Sequence, residues 1–145
     1  MTTVRDARHP VLIAAPTSDA HTWNLIYLQL LIEELNHPSV NLGPCVPDDT
    51  LIEACLLYRP RLLLLSSVNG HGHQDGLRLI RRIRAVEDLV TTPVVIGGKL
   101  DISGTDPDRA GDLRDAGFDA VFPDRPHAVT EFRRFLAALP ERVVC

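Results

Sequence analysis

The chain has 145 residues, about one domain's worth, and a domain of that length buries roughly two-thirds of the surface its unfolded chain exposes. Its 45% apolar and 23% charged residues are ordinary globular composition, so a core is expected without a metal or disulfide to staple it. The net charge of −4 argues against nucleic acid, whose phosphates demand clustered Lys and Arg. The cluster Arg78, Arg81, Arg82 and Arg84 sits at helical spacing and is expected to be a solvated helix face. Cys45, Cys55 and Cys145 form neither a close metal-type pair nor an even-numbered framework, which suits a reducing compartment. No apolar signal core opens the chain and no apolar run nears the ~20 residues that span a bilayer. The expectation is a cytoplasmic protein that binds neither membrane nor nucleic acid.

Five short apolar runs alternate with amphipathic stretches. Val11 to Ala15 is the first strand candidate, followed by a helix at about Asn24 to Leu35 with Leu25, Leu28, Ile32 and Leu35 near one face. A second strand at Val40 to Leu42 leads to Pro47-Asp48-Asp49, whose carboxylates favour a helix N-terminus, and a helix to about Leu57. Leu62 to Ser66 is continuously apolar until its end, the pattern of a central parallel strand covered on both faces. A third helix is expected over about Gly76 to Val86, and a fourth strand at Val94 to Ile96. Asp106-Pro107 reads as a cap and a first-turn proline for a helix ending near Gly117. The strand Ala120 to Phe122 and a helix from about Ala128 to Leu139, stopped by Pro140, complete the series.

Strand and helix alternating five times implies an α/β fold, a flavodoxin-like, doubly wound five-stranded parallel sheet. Right-handed crossovers leave few topologies, and strand order 2-1-3-4-5 is the expected one. We read a single domain over residues 1–145, with its core at about 11–139 and a short ragged N-terminus.

In such a sheet, ligands bind outside the carboxyl ends of the strands where strand order reverses, here between the first and third strands. The segments to read are therefore Pro16 to Asn24, Ser66 to His73, and Gly97-Gly98-Lys99-Leu100. In the first, Asp19 and His21 have a useful spacing. A histidine can ligate a metal through one ring nitrogen while the other donates its proton to a carboxylate that fixes the tautomer. Taken alone, an Asp-x-His pair is also an ordinary turn. Glycine pairs let backbone approach a bulky ligand, or simply make tight turns. Ser66 and Ser67 end a buried strand, where hydroxyls bond a ligand or cap the loop.

Ser18-Asp19-Ala20-His21, Ser66-Ser67-Val68-Asn69-Gly70-His71-Gly72 and Val95-Ile96-Gly97-Gly98-Lys99-Leu100 are similar, in order and spacing, to the cobalamin-binding motifs of B12-dependent mutases. Those motifs read Asp-x-His-x-x-Gly, then Ser-x-Leu, then Gly-Gly. The chain most resembles the small subunit of glutamate (methylaspartate) mutase, and Gly117 to Pro123 matches that family's later Gly-Phe-Asp-x-Val-Phe/Tyr-Pro run. The resemblance spans about Val11 to Leu139.

The resemblance implies that His21 is the lower axial ligand of cobalt, displacing the cofactor's own base, and that Asp19 orients it. Ser66, Val68, Gly97 and Gly98 would line the pocket for the nucleotide tail, with Ser18, Asn24, Ser67, Gly70 and Gly72 completing the cofactor-binding set. The cofactor would be adenosylcobalamin, the reaction a radical rearrangement of a carbon skeleton, and the chain the cofactor-carrying component of an isomerase. The partner would be a large barrel-type subunit holding a small carboxylic acid substrate, since a barrel needs at least ~200 residues. Two departures stand out. Asn24 occupies the motif's last glycine position, where its side chain would crowd the tail, and Val68 replaces leucine. Trp23, His71 and His73 are expected on the rim, and Lys99 is the lone cation of the strand-end loops.

Other readings of the architecture fare worse. A response-regulator receiver needs a phospho-accepting Asp where this chain has Ser66, and a Lys after the fifth strand rather than the fourth. A flavin-phosphate loop wants glycine, absent from Thr17 to Trp23. Zinc would have only His21, His71 and His73 to draw on. The alternative within the fold is a non-catalytic cobalamin carrier, sensor or partner-binding module.

Overall fold

The computed structural model describes residues 9–68, 70–98, 107–123 and 127–139. Asn69, Lys99, Leu100, Asp106, Pro140 and Cys145, all singled out in the sequence, lie outside the described residues. The elements run β1 (Val11–Pro16), α1 (Trp23–Glu34), β2 (Ser39–Val46), α2 (Asp48–Tyr58), β3 (Leu62–Ser67), α3 (Gly72–Arg84), β4 (Val94–Gly98), α4 (Pro107–Ala116), β5 (Ala120–Pro123) and α5 (Ala128–Ala138). The five strands form one parallel sheet in the order β2-β1-β3-β4-β5, as expected.

Alternation along β1 and β3 divides the core in two. Leu12, Leu63 and Leu65 face Leu79, Ile80 and Ile83 of α3, while Ile13, Leu62 and Leu64 face Leu25 and Ile32 of α1 and Phe132 and Leu136 of α5. The same alternation carries on past the apolar run, so Ser66 belongs to the α1/α5 side and Ser67 to the other.

Two elements, β2 and α3, run four residues or more past an expected bound. β2 continues through Gly43 and Pro44 to Val46, and its pairing with β1 is irregular between Ile13 and Ala14 and again between Ala14 and Pro16. An edge strand tolerates proline and bulges because one side of its backbone needs no ladder partner. α3 begins at Gly72 rather than Gly76. Gly76 is therefore a helix-interior residue, and a Cβ there would lie 3.0 Å from both Ile96 Cδ1 and Leu113 Cδ2. It is glycine because α3 packs closely on β4 and α4.

The arginine cluster is a correction. Only Arg81 fits a simple solvated face. Arg84 donates to the carbonyls of Gly117, Leu89, Val90 and Thr92 and to the Asp119 carboxylate, clasping the ends of α3, α4 and the turn before β4. Arg78 bonds Asp48 at 2.9 and 3.1 Å and Asp75 at 2.9 Å, and Arg82 reaches Asp48 and Asp49. The Arg78 hydrogen bonds hold the Asp48 carboxyl below its ordinary pKa against the opposing effect of burial. Helical spacing showed the arginines sharing one helix, but apart from Asp75 the carboxylates and carbonyls they meet lie outside that helix.

At the end of β4, Gly98 has φ +100° and its missing Cβ would stand 2.0 Å from the Ser67 carbonyl oxygen. Gly98→Ala is expected to cost at least about 3 kcal/mol in denaturant unfolding, combining backbone strain with a backbone collision. Gly111→Ala in α4, where a Cβ would meet nothing within 4 Å, should be neutral or stabilise by up to about 1 kcal/mol. Equal effects from the two would show that the approach of Gly98 to β3 is not tight.

Candidate functional site

The centre of the site is a carboxylate that water cannot reach. Asp19, fully buried, sits in the loop after β1. That loop is pinned at both ends by backbone bonds, Asp19 N–H to the Pro16 carbonyl at 2.9 Å and Cys45 N–H to the Asp19 carbonyl at 2.9 Å. The Asp19 Oδ1 accepts the His21 backbone N–H at 3.0 Å and lies 2.8 Å from His21 Nδ1. Its Oδ2 accepts the Val68 N–H at 2.7 Å. One side chain thus ties the loop after β1 to the loop after β3, the two loops that flank the reversal of strand order.

The chemistry of the pair follows from the inventory of donors. An ionised carboxylate only accepts, so His21 Nδ1 must carry the proton it donates to Asp19. With Nδ1 turned inward to the carboxylate, Nε2 is the outward nitrogen, and the ring is 59% exposed. A histidine oriented by a carboxylate, with Nε2 presented outward, is suited to ligating a metal.

Beside this pair a cavity of about 200 Å³ opens between the carboxyl ends of β3 and β4 and helices α1 and α5. Of the residues singled out in the sequence, Asn24, Ser66, Val68, Gly97 and Gly98 all line it. Its remaining wall is apolar, built by Leu28 and Tyr27 of α1, Phe122 of β5 and Phe132 of α5 among others. Sequence reasoning missed these wall residues. Leu28 had been placed on the inward face of its helix, but nothing local separates a residue that lines a cavity from one that fills a core.

Asn24 does more than narrow this space. Its Nδ2 donates to Ser66 Oγ at 2.6 Å, fastening α1 to β3, while its Oδ1 is buried without a hydrogen-bond partner. The cavity is smaller than the roughly 300–1,000 Å³ usual for ligand sites, and the Asn24–Ser66 bond is one reason it is narrow.

The other residues lie elsewhere. Ser18 donates to Asp75 Oδ2 and lines a separate crevice of about 380 Å³ with Thr17, Asp48, Asp49, Asp75, Arg78 and Arg82. Ser67 is buried and is not part of the cavity wall, nor are Gly70 and Gly72, which lie at the entry to α3. Trp23 is 81% exposed and His71 is exposed, as expected of rim residues. His73 corrects the expectation. Its Nδ1 accepts from Arg109 at 2.9 Å and its Nε2 pairs with Asp112 at 3.2 Å, so α4 holds the ring and only 13% of it is exposed. Among the described residues, no group of three or more His, Cys, Asp or Glu is placed to hold a metal ion by itself.

Glutamate mutase sigma subunit 1 of Haloarcula marismortui is 28% identical over 114 residues, covering 77% of this chain and 74% of that protein. The resemblance read from the motifs is borne out. No family model matches the chain. Among solved structures, a cobalamin-binding protein from Desulfitobacterium hafniense superposes with a TM-score of 0.70 at 16% identity, over 89% of this chain and 59% of that one. The methanol:cobalamin methyltransferase complex MtaBC from Methanosarcina barkeri gives 0.62 at 15% identity, over 92% of this chain and 48% of that one. The chemotaxis protein CheY4 of Vibrio cholerae gives 0.65 at 8% identity, over 90% of this chain and 98% of that one. These likenesses establish a shared fold. This chain spans a little over half of the first solved protein and about half of the second.

The buried carboxylate should matter to the fold as well as to the site. Asp19→Ala leaves the Val68 N–H without its acceptor, and hydrogen bonds to a charged group contribute about 1.5–3 kcal/mol each. A loss of at least about 2 kcal/mol in chemical unfolding is expected. His21→Ala removes the ring's bond to Oδ1 but leaves the backbone N–H bond and the tie to Val68, so a smaller loss of about 1–2 kcal/mol is expected. Asp19→Ala as stable as wild type would mean that the bond between the loops carries no weight.

Proposed function

We propose that this chain is the cobalamin-binding subunit of an adenosylcobalamin-dependent carbon-skeleton mutase of the glutamate mutase type. One arrangement carries the reading: the Asp19–His21 pair, tied to Val68 N–H, stands beside a cavity walled by the residues of the other two motifs. The similarity to a glutamate mutase sigma subunit supports it. Adenosylcobalamin, when bound, supplies a cobalt–carbon bond whose homolysis starts the radical rearrangement.

The chain's own residues would do the holding. His21 Nε2 would ligate the cobalt, and Asp19 would keep the Nδ1 proton in place, which raises the basicity of the ligand. Ser66, Val68, Gly97 and Gly98 enclose the nucleotide tail, and the apolar wall from α1 and α5 excludes water from it. Asn24 and Ser66, bonded to each other, both line this space, so a bound tail would have to accommodate or displace that bond. Substrate, a small carboxylic acid, is held mainly by a large barrel-type partner, since the strand-end loops described here offer an open crevice rather than a closed chamber.

Two experiments test this. Electron spin resonance of the reduced cobalt form, with nitrogen-labelled histidine, should show coupling to a protein histidine that disappears in His21→Ala. Asp19→Asn should retain that coupling while weakening cobalamin binding by about 10–100-fold. Coupling to the cofactor's own base in the wild-type chain, or equal affinity of wild type and His21→Ala, would refute the ligand assignment.

Asn24→Gly removes the strut across the cavity. Cobalamin affinity in an absorbance titration should be unchanged or tighter, while unfolding free energy falls by about 1–2 kcal/mol from lost helix propensity and the lost bond. A large loss of affinity in the folded variant would show instead that Asn24 contacts the cofactor favourably.

A further inference from the structure

The cavity beside the Asp19–His21 pair has little room to grow. Leu25 and Ile32 of α1 and Phe132 and Leu136 of α5 are buried in one cluster, so moving either helix outward would open a gap in close-packed core. The β4 edge is equally tight. A Cβ at Gly97 would lie 3.2 Å from the Phe122 carbonyl oxygen, and one at Gly98 would collide with that of Ser67. Asn24 and Ser66, which both line the space, are joined by a bond whose two ends are side chains. A side chain turns about χ1 where a packed helix cannot shift. The room available in the cavity therefore depends on Asn24.

Stability alone does not account for this asparagine. Its Nδ2 has a partner, but Oδ1 is buried with none among the described residues, and a stranded carbonyl oxygen is a cost to the fold. Where the resembling motif has glycine, and so no side chain, this chain carries an amide that takes up part of the cavity and ties α1 to β3. The cavity holds about 200 Å³. A benzimidazole nucleotide is a drug-sized group, and groups of that size occupy pockets of roughly 300–1,000 Å³. The His21 ring, by contrast, is exposed and is not part of the cavity wall, so ligation of cobalt does not depend on the cavity's width.

We infer that Asn24 sets which corrinoids this chain accepts. It disfavours the nucleotide tail, so that a cobinamide, which has the corrin and the cobalt but no tail, binds at least as tightly as a cobalamin. This rests on the cobalamin-binding reading and narrows it to a class of corrinoid. A cobalamin must displace the Asn24–Ser66 bond and also give up its own base to His21. A cobinamide does neither. With glycine at position 24 the tail would be buried against the apolar wall with no bond to break, and cobalamin would be preferred.

Absorbance titration of the full chain with hydroxocobalamin and with hydroxocobinamide tests it, the readout being the ratio of the two dissociation constants within one variant. Such a ratio cancels any general effect of a substitution on folding. Wild type should bind the cobinamide as tightly as the cobalamin, or more tightly. Asn24→Gly should move the ratio toward cobalamin by at least about tenfold, the equivalent of about one hydrogen bond. Asn24→Ala, which keeps helix propensity, should move it in the same direction and guards against loosening of the helix by glycine. A wild type that prefers cobalamin by about tenfold or more, or a ratio that both Asn24 variants leave unchanged, would overturn the inference while leaving the His21 assignment standing. Binding of neither corrinoid would overturn the cobalamin reading itself, and this inference with it.

Discussion

Asp19 is the constraint on which the site depends. A carboxylate with no exposed surface is costly to bury unless its oxygens are satisfied, and His21 and Val68 are among the donors that satisfy it. Burial therefore does not merely accompany the geometry of the two loops but enforces it. If the loop after β3 moved away, Asp19 would lose the Val68 N–H. If His21 turned, Oδ1 would lose the imidazole. The outward nitrogen of His21 is presented in one orientation because the inward one is held.

The loop after β1 also separates two environments. On the α1/α5 side, Ser66 and the glycine pair of β4 open onto an apolar cavity. On the opposite side, Ser18 joins a network of Asp48, Asp49, Asp75, Arg78 and Arg82. There Arg78 and Arg82 of α3 bridge to the carboxylates of Asp48 and Asp49 at the start of α2, and Arg78 also reaches Asp75. A cofactor that needs an apolar slot and an oriented imidazole finds both on the first side. The chemotaxis protein CheY4 shares this frame, and in this chain Ser66 and Ser67 end the central strand.

Helix α1 connects these properties. It begins two residues after His21, supplies Asn24 and Tyr27 to the cavity, buries Leu25 and Ile32 in the core, and turns Trp23 and Leu30 outward. Its position sets the width of the cavity, and the Asn24–Ser66 bond fastens its first turn. Where a related motif has glycine, this chain has a side chain that links helix to strand.

The sequence by itself determined the order of elements, the parallel sheet and the switch point, because hydrophobic periodicity is local and right-handed crossovers leave few topologies. Asp19, His21 and the residues of the glycine and serine motifs were legible because they occupy short segments at strand ends. What only the tertiary structure decided involves groups distant in the chain. Val68 closes the coordination of Asp19 across 49 positions, and Asn24 meets Ser66 across 42. His73 pairs with Asp112 rather than facing the rim, and Arg84 clasps carbonyls instead of water. In each case the residue type and its helix were readable, but its partner was not. A hydrogen bond needs a donor and an acceptor within about 3 Å, and only the packed chain brings them there.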